Sequence, residues 1–331
     1  MKITSKAILK FMMALLAIVL FWQKSEENTV YAVLHEQREI DSEETQANIC
    51  REYIVSKDGS GDFITIQAAV DNAKDGDTLI IYPGVYYENV RILNKELNII
   101  GIDKDECMIE YDTASYVCVP LEIAAGKVSN LTIYGVHIRE DGPLPEEVEQ
   151  LISLYGEEFA MESLKNNKGY SGYAVHAEQD FSYGKELKFE NCRIISANSA
   201  CVGIGSRGDS KIIFENCELL SWGGTCIFLH DSPIPELGGE TYFSLHNCYC
   251  LQMNNLGPAM IFRQMLDCNN YIFNFQNVTM CIPDNTPVNA ILQINNYSDN
   301  AKDGWCGLHN TILTPNSYGN TIDVMNWNAD S

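Results

Sequence analysis

The chain predicts an all-β fold, a single-stranded parallel β-helix with a short N-terminal capping helix and one helical insertion. Three observations carry this. First, five segments repeat one pattern: Leu187–Ile194, Ile212–Leu219, Tyr242–Tyr249, Tyr271–Val278 and Gly307–Ile312. Their asparagines, Asn191, Asn216, Asn247, Asn277 and Asn310, are 25, 31, 30 and 33 residues apart. Second, the repeat consists of short strands with no second helical pattern, which is the mark of a solenoid. Third, residues 57–90 read as a construction that closes one end of a stack.

That end segment begins with the glycine-rich turn Asp58-Gly-Ser-Gly-Asp62. Thr65 can cap a helix, its side-chain oxygen accepting from an orphan backbone N–H. Ile66, Ala69, Val70 and Ala73 then share one face at helical spacing. After a turn at Asp75-Gly-Asp77, the run Thr78–Tyr82 is β-branched and aromatic and stops at Pro83-Gly84, so it reads as a strand. In the coils that follow, like residues stack roughly 4.8 Å apart. An asparagine at the same corner of each coil can bond the amide above and below. The segments Leu97–Ile102 and Leu131–Ile138 have the same shape, with Gly101 and Gly135 at the turn position.

Residues 140–169 interrupt the coils. Pro145, early glutamates and apolar Val148, Leu151, Tyr155 and Phe159 predict one or two amphipathic helices, either a lid or a helix packed on the side of the stack. At the start, Lys2, Lys6 and Lys10 precede the apolar run Phe11–Trp22, and Val30-Tyr-Ala32 offers small residues for cleavage. The expected organisation is a signal peptide over 1–32, a leader over 33–52 and one β-helix domain over 53–331. Secretion follows as an expectation, with no membrane association once the signal is removed. A monomer is expected.

The 331 residues carry 22 basic and 45 acidic groups, a net charge of −23. No basic stripe exists to displace counterions from phosphates, which argues against nucleic acid. A densely anionic polymer is disfavoured for the same reason, whereas a neutral or esterified polysaccharide is easier to accommodate. Of twelve cysteines, Cys192, Cys217 and Cys248 occupy one position in consecutive coils, and Cys201 and Cys226 are one coil apart. Stacked cysteines of this kind read as a buried column of free thiols, because parallel side-chain vectors strain a disulfide. No metal site and no cofactor are expected.

The elements Asp58-Gly-Ser-Gly-Asp-Phe63, Thr65-Ile-Gln-Ala-Ala-Val70 and Gly84-Val-Tyr86-Tyr-Glu88 resemble the N-terminal part of the pectin methylesterases. The resemblance continues more faintly to about Cys250. It implies a right-handed parallel β-helix of the pectin-lyase-like kind, and hydrolysis of galacturonate methyl esters in pectin as part of cell-wall modification. It also implies a site of two aspartates, a glutamine and an arginine. Those four residues are not matched. The glutamine position falls on Tyr173, the two aspartate positions on Ser199 and Gly224, and the arginine string is reduced to Leu256-Gly257-Pro258. A serine does not donate a proton as a carboxylic acid does, and a glycine has nothing to attack with. No catalytic residue is therefore supported, and the expected function is recognition of a pectin-type polysaccharide, with the ester hydrolysis lost. The alternatives are an esterase or lyase using relocated groups, or a non-enzymatic surface or adhesion solenoid. Groove candidates are Tyr173, Asn198, Glu178, His230, Asp231 and Arg263. His176 aligns by offset with Val202 and Ile227, which predicts an inward, core-facing ring. Arg207-Gly-Asp209 lies in an inter-coil turn, where backbone demands explain Gly and Asp.

Overall fold

The computed structural model describes residues 50–110, 119–135, 152, 153, 157, 173–177, 180–197, 200–206, 208–221, 225–231, 239–252, 259–264, 269–282, 290–296, 304–314 and 320–325. The expected signal and nearly all of the leader lie outside them. Of the expected insertion, Ile152, Ser153 and Glu157 are described, and all three are helical. Cys50–Ser331 forms one compact unit.

Every pairing among the described strands is parallel, and each strand between the ends of the stack pairs with its counterparts one coil earlier and one coil later. Three faces result. The first face carries Glu186–Glu190, Lys211–Glu215, Gly239–His246, Asn269–Gln276 and Gly304–His309 in sequence. The second carries Val175–Ala177, Val202–Ser206, Ile227–Asp231, Met260–Gln264, Ala290–Asn296 and Asn320–Met325. The third carries Arg193–Ser196, Glu218–Ser221, Tyr249–Gln252, Thr279–Cys281 and Ile312–Thr314. This confirms the parallel β-helix.

The first and second faces form one continuous sheet because two long strands cross the corner between them. Leu121–Ser129 pairs at its start with Val175 and His176 and at its end with Leu187–Glu190. It bends at Gly126, whose φ of +114° suits glycine. Val90–Gly101 makes the same crossing one coil earlier, with its register shift between Ile92 and Glu96.

At the corner between first and third faces, the five predicted asparagines all adopt the left-handed conformation, φ between +48° and +55°. Asparagine tolerates this region better than other non-glycine residues. The side chains form a ladder: Asn191 Nδ2 donates to Asn130 Oδ1 (2.8 Å), Asn247 to Asn216 (3.1 Å) and Asn277 to Asn247 (3.0 Å). Asn130 is a member that the sequence reading missed. Neither expected glycine makes the turn: Gly101 is the last residue of the strand Val90–Gly101, paired with Ile81, and Gly135 closes the third-face strand Thr132–Gly135, paired with Ser196. In that coil Asn130 (φ +54°), five residues before Gly135, makes the turn instead. The strand pattern was the same, but its register was offset by five residues.

The core is a set of registered columns. Leu79, Ile99, Val128, Phe189, Phe214, Leu245 and Phe275 succeed one another on the first face, all fully buried. The five repeat cysteines are free and buried, as expected. Cys192 Sγ donates to Val128 O (3.5 Å), Cys217 Sγ to Phe189 O (3.5 Å) and Cys248 Sγ to Phe214 O (3.4 Å). Two coils later Thr311 Oγ1 makes the equivalent bond to Phe275 O (3.4 Å). Burial pushes the thiols of Cys217, Cys226 and Cys250 well up, so they stay neutral and unreactive.

The helix α1, Ile66–Asn72, lies at the N-terminal end with Ile66, Ala69 and Val70 buried, and Thr65 caps it. Glu88 adds a stronger cap: its two carboxylate oxygens accept from Ile66 N (2.9 Å) and Gln67 N (2.8 Å). Tyr86 sits 1% exposed with its hydroxyl near Val55 O and Tyr82 O, and burial pushes its pKa up to about 12. The string Gly84-Val-Tyr86-Tyr-Glu88 therefore fastens the end of the stack. Glu88→Gln is expected to lower unfolding free energy by about 2 kcal/mol, the loss of charge-assisted bonds to two helix amides. The urea midpoint checks it.

Candidate functional site: the second face

Along the second face, Val175, Val202, Ile227 and Met260 point into the core, as do Ala177, Ile204, Leu229 and Phe262. The residues between them face outward, because successive side chains alternate across a strand. One outward column runs Arg91, Glu122, His176, Gly203 and Phe228, one residue per coil. The next runs through Gly205 and His230.

His176 therefore pairs with Gly203 and not with Val202, which corrects its expected inward direction. A one-residue offset in a period of two moves a side chain to the opposite face. It is nevertheless buried, at 4% exposure, beside Glu122 at 2%. Arg91 Nε donates to Glu122 Oε2 at 2.5 Å, and His176 Nδ1 lies 3.4 Å from Glu122 Oε1. Arg91 is held in turn through its backbone N–H, which donates to Gln67 Oε1 (2.7 Å) of α1. Burial acts to raise the Glu122 pKa, but the His176 hydrogen bond and the Arg91 charge outweigh it and hold the carboxyl below its ordinary value. Sequence reasoning missed this triad because its members are 31 and 54 residues apart and belong to no repeated string.

A carboxyl with a lowered folded-state pKa contributes stability that is complete above its unfolded value and is lost as pH falls through the folded one. Unfolding free energy is thus expected to decline as the pH drops below the ordinary value of 4.5. In Glu122→Gln the decline over that window is expected to be shallower, as measured by denaturant titrations at successive pH values.

Beyond the triad, the strand Val202–Ser206 presents two glycines outward, Gly203 and Gly205. The Tyr173 ring lies over Gly203: a Cβ there would stand 2.7 Å from Tyr173 Cε2. Tyr173 also stacks on His176, with centroids 6.0 Å apart and planes 27° apart. One coil on, Phe228 and His230 pair with centroids 5.4 Å apart, and both are half-buried. The glycine strand thus forms a notch in the backbone between two aromatic–imidazole pairs, and over Gly203 the Tyr173 ring fills it. Beside Gly205 a small cavity opens at the corner, lined by Ala124, Ala177, Ile204, Ser182, Ser210 and Lys211.

The structure thus brings Tyr173 and His230 to one face. Asp231 and Arg263 occupy second-face strands in register with Ser206 and His230 respectively. Glu178, Asn198, Ser199, Gly224 and Leu256–Pro258 lie outside the described residues. At Tyr173 a phenol stands where the resemblance places an amide. Among the described residues no group of three or more His, Cys, Asp or Glu side chains could hold a metal ion, and no helix is long and apolar enough to cross a membrane. Asp209 of the Arg-Gly-Asp string is engaged in its turn, where Oδ1 accepts from Glu240 N (2.9 Å) and Oδ2 from the Tyr183 hydroxyl (3.3 Å).

No family profile and no curated protein matches the chain. Solved structures do. Pectin methylesterase PemA from Erwinia chrysanthemi is 13% identical over 78% of this chain and 93% of its own, with a TM-score of 0.40. Pectin methylesterase from carrot is 13% identical over 84% of this chain and 89% of its own, also at 0.40. A bacteriophage tailspike from Acinetobacter baumannii phage, a capsular polysaccharide depolymerase, is 10% identical over 75% of this chain and 58% of its own, at 0.31.

Proposed function

We propose that this chain is a secreted polysaccharide-binding β-helix that reads a pectin-type polymer along its second face without the pectin methylesterase mechanism. The observation that carries the reading is the Gly203–Gly205 notch between Tyr173–His176 and Phe228–His230. Sugars present apolar C–H faces to aromatic rings such as the half-buried Tyr173 and Phe228 and hydroxyls to an imidazole such as the half-buried His230, and Gly203 lets the Tyr173 ring lie against the strand. The coil repeat of roughly 4.8 Å gives a polymer lying along the stack a regular series of contacts. The similar pectin methylesterases and the capsular depolymerase favour a polysaccharide over other polymers. The net charge of −23 favours an esterified or neutral polymer over a polyanion. The basic start followed by Phe11–Trp22 favours secretion.

The test is binding of the purified protein to highly esterified and to de-esterified pectin, with methanol release followed in the same samples. Retained binding to the esterified polymer, no methanol, and about a tenfold weaker complex for Tyr173→Ala are expected, a tenfold change being about 1.4 kcal/mol. Turnover that disappears in His230→Ala would replace this reading with a relocated esterase. Binding that Tyr173→Ala and His230→Ala both leave unchanged would remove the notch from it.

A further inference from the structure

One core column of the second face has a member too small for its neighbours. Ala177, Ile204, Leu229 and Phe262 hold the same inward position in successive coils. An alanine in a column of larger side chains leaves volume unfilled, and the cavity beside Gly205 lies there. Its floor is apolar, made by Ala124, Ala177, Leu187, Ile204 and Ile212. These five are 2–4% exposed, whereas Val175, Val202, Ile227 and Leu229 of the same face are 0% exposed. The cavity therefore opens to solvent, with room for about one group of methyl or water size.

Its polar lining is Ser182, Lys185, Ser210 and Lys211. The two lysines belong to successive coils, and Lys211 N donates to Lys185 O (2.8 Å). The Lys185 ammonium is committed: it pairs with Glu96 Oε1 at 2.5 Å and lies over the Phe181 ring. Among the described residues the exposed Lys211 ammonium has no ion pair and no hydrogen bond. It offers donors and no acceptor. Gly205 pairs with His230, so the cavity adjoins the face assigned to the polymer.

A ligand must suit both parts. Its tip must be apolar, since a hydroxyl pressed on this floor loses its bonds to water without replacing them. An acceptor must follow directly, because the space is about one methyl deep and the ammonium only donates. An acetyl group has this order, its methyl being bonded to the carbonyl carbon. A methyl ester puts a weakly accepting alkoxy oxygen next to the methyl and its carbonyl one bond further, and a 6-deoxy sugar offers only an ether oxygen. We infer that the cavity binds an acetyl group carried by a sugar of the polymer, with the methyl on the alanine floor and the carbonyl oxygen accepting from Lys211 Nζ. The inference rests on the polysaccharide reading and adds a substituent to it.

Calorimetric titration of the full-length protein tests it with three probes: a methyl-esterified galacturonate oligomer, the same oligomer O-acetylated, and free acetate. The acetylated oligomer is expected to bind about tenfold tighter than the plain one, for one buried methyl and one charge-assisted hydrogen bond. Free acetate is expected to give no binding. Ala177→Val fills the floor and is expected to bring the two oligomers to equal affinity, with an unchanged circular-dichroism spectrum. Lys211→Met, a change at an exposed side chain, is expected to cut the preference to about threefold, the methyl's share. Equal affinity in the wild type overturns the inference and leaves the polysaccharide reading standing, whereas binding of neither oligomer removes both. A full preference in either folded variant overturns it too. So does acetate binding that Ala177→Val abolishes while the oligomers bind alike, which would assign the cavity to a free carboxylate.

Discussion

Gly126→Ala is expected to lower the stability of the β-helix by about 4 kcal/mol, backbone strain and a steric clash acting together. The φ of +114° at this residue is outside what an L side chain ordinarily adopts. A Cβ would also stand 2.4 Å from Leu97 O and 2.9 Å from Leu97 N. Both are backbone atoms in the parallel ladder, where Leu97 pairs with Gly126, so neither can swing aside as a side chain does. Gly184→Ala is the informative control. Its φ is +67°, but nothing lies within 4 Å of the added methyl, so strain alone should cost about 1–2 kcal/mol. Urea midpoints of the two variants against wild type measure the difference. Equal losses would show that the corner crossing is not sterically fixed at Gly126.

The second large effect belongs to Phe214→Ala, expected to cost about 4 kcal/mol from lost burial and the cavity left behind. The ring lies parallel to that of Phe189, 5.1 Å between centroids and 8° between planes, and 6.0 Å from Phe243. Neither neighbour can collapse into the space without leaving its own position in the column. Phe228→Ala on the outer side of the second face, half-buried, should cost only about 1 kcal/mol, near the centre of the distribution for single substitutions. Because solenoids unfold by neighbouring repeats, hydrogen exchange should show the Phe214 loss most strongly in Leu187–Glu190 and Tyr242–His246. A uniform loss of protection along the whole stack would contradict this.

The corners and the core columns were legible in the sequence for a specific reason. A left-handed turn restricts residue choice, so Asn191 through Asn310 recur visibly, and the residue after each fills one buried position as Cys, Val or Thr. Thr65 and the face of Ile66, Ala69, Val70 and Ala73 were legible because capping and helical spacing are local. Register was harder to read. Gly135 had the right neighbours but the wrong place, since Asn130 already made the turn. His176 was offset by one, and in a strand one residue is the difference between core and surface. The strand Glu52–Val55 carries too short a pattern to announce itself. The Arg91–Glu122–His176 contact could not be seen at all, because it joins three coils through side chains that share no motif. The notch was half visible: Gly203 and Gly205 were there to read, but that both face outward follows only from the pairing.

The asparagine corner has a consequence for how such a protein can change. From Asn130 to Asn310 the third-face strand always begins two residues after the asparagine, so this corner admits no insertions or deletions. The variation in coil length falls elsewhere, chiefly in the connections on either side of the second-face strands. The segment between Thr132–Gly135 and Val175–Ala177 is the longest of these. The fold therefore separates what must stay constant from what is free to diverge. Descendants of this chain can remodel the borders of the Tyr173–His230 notch, and with them the choice of polymer, while the interior columns keep their spacing.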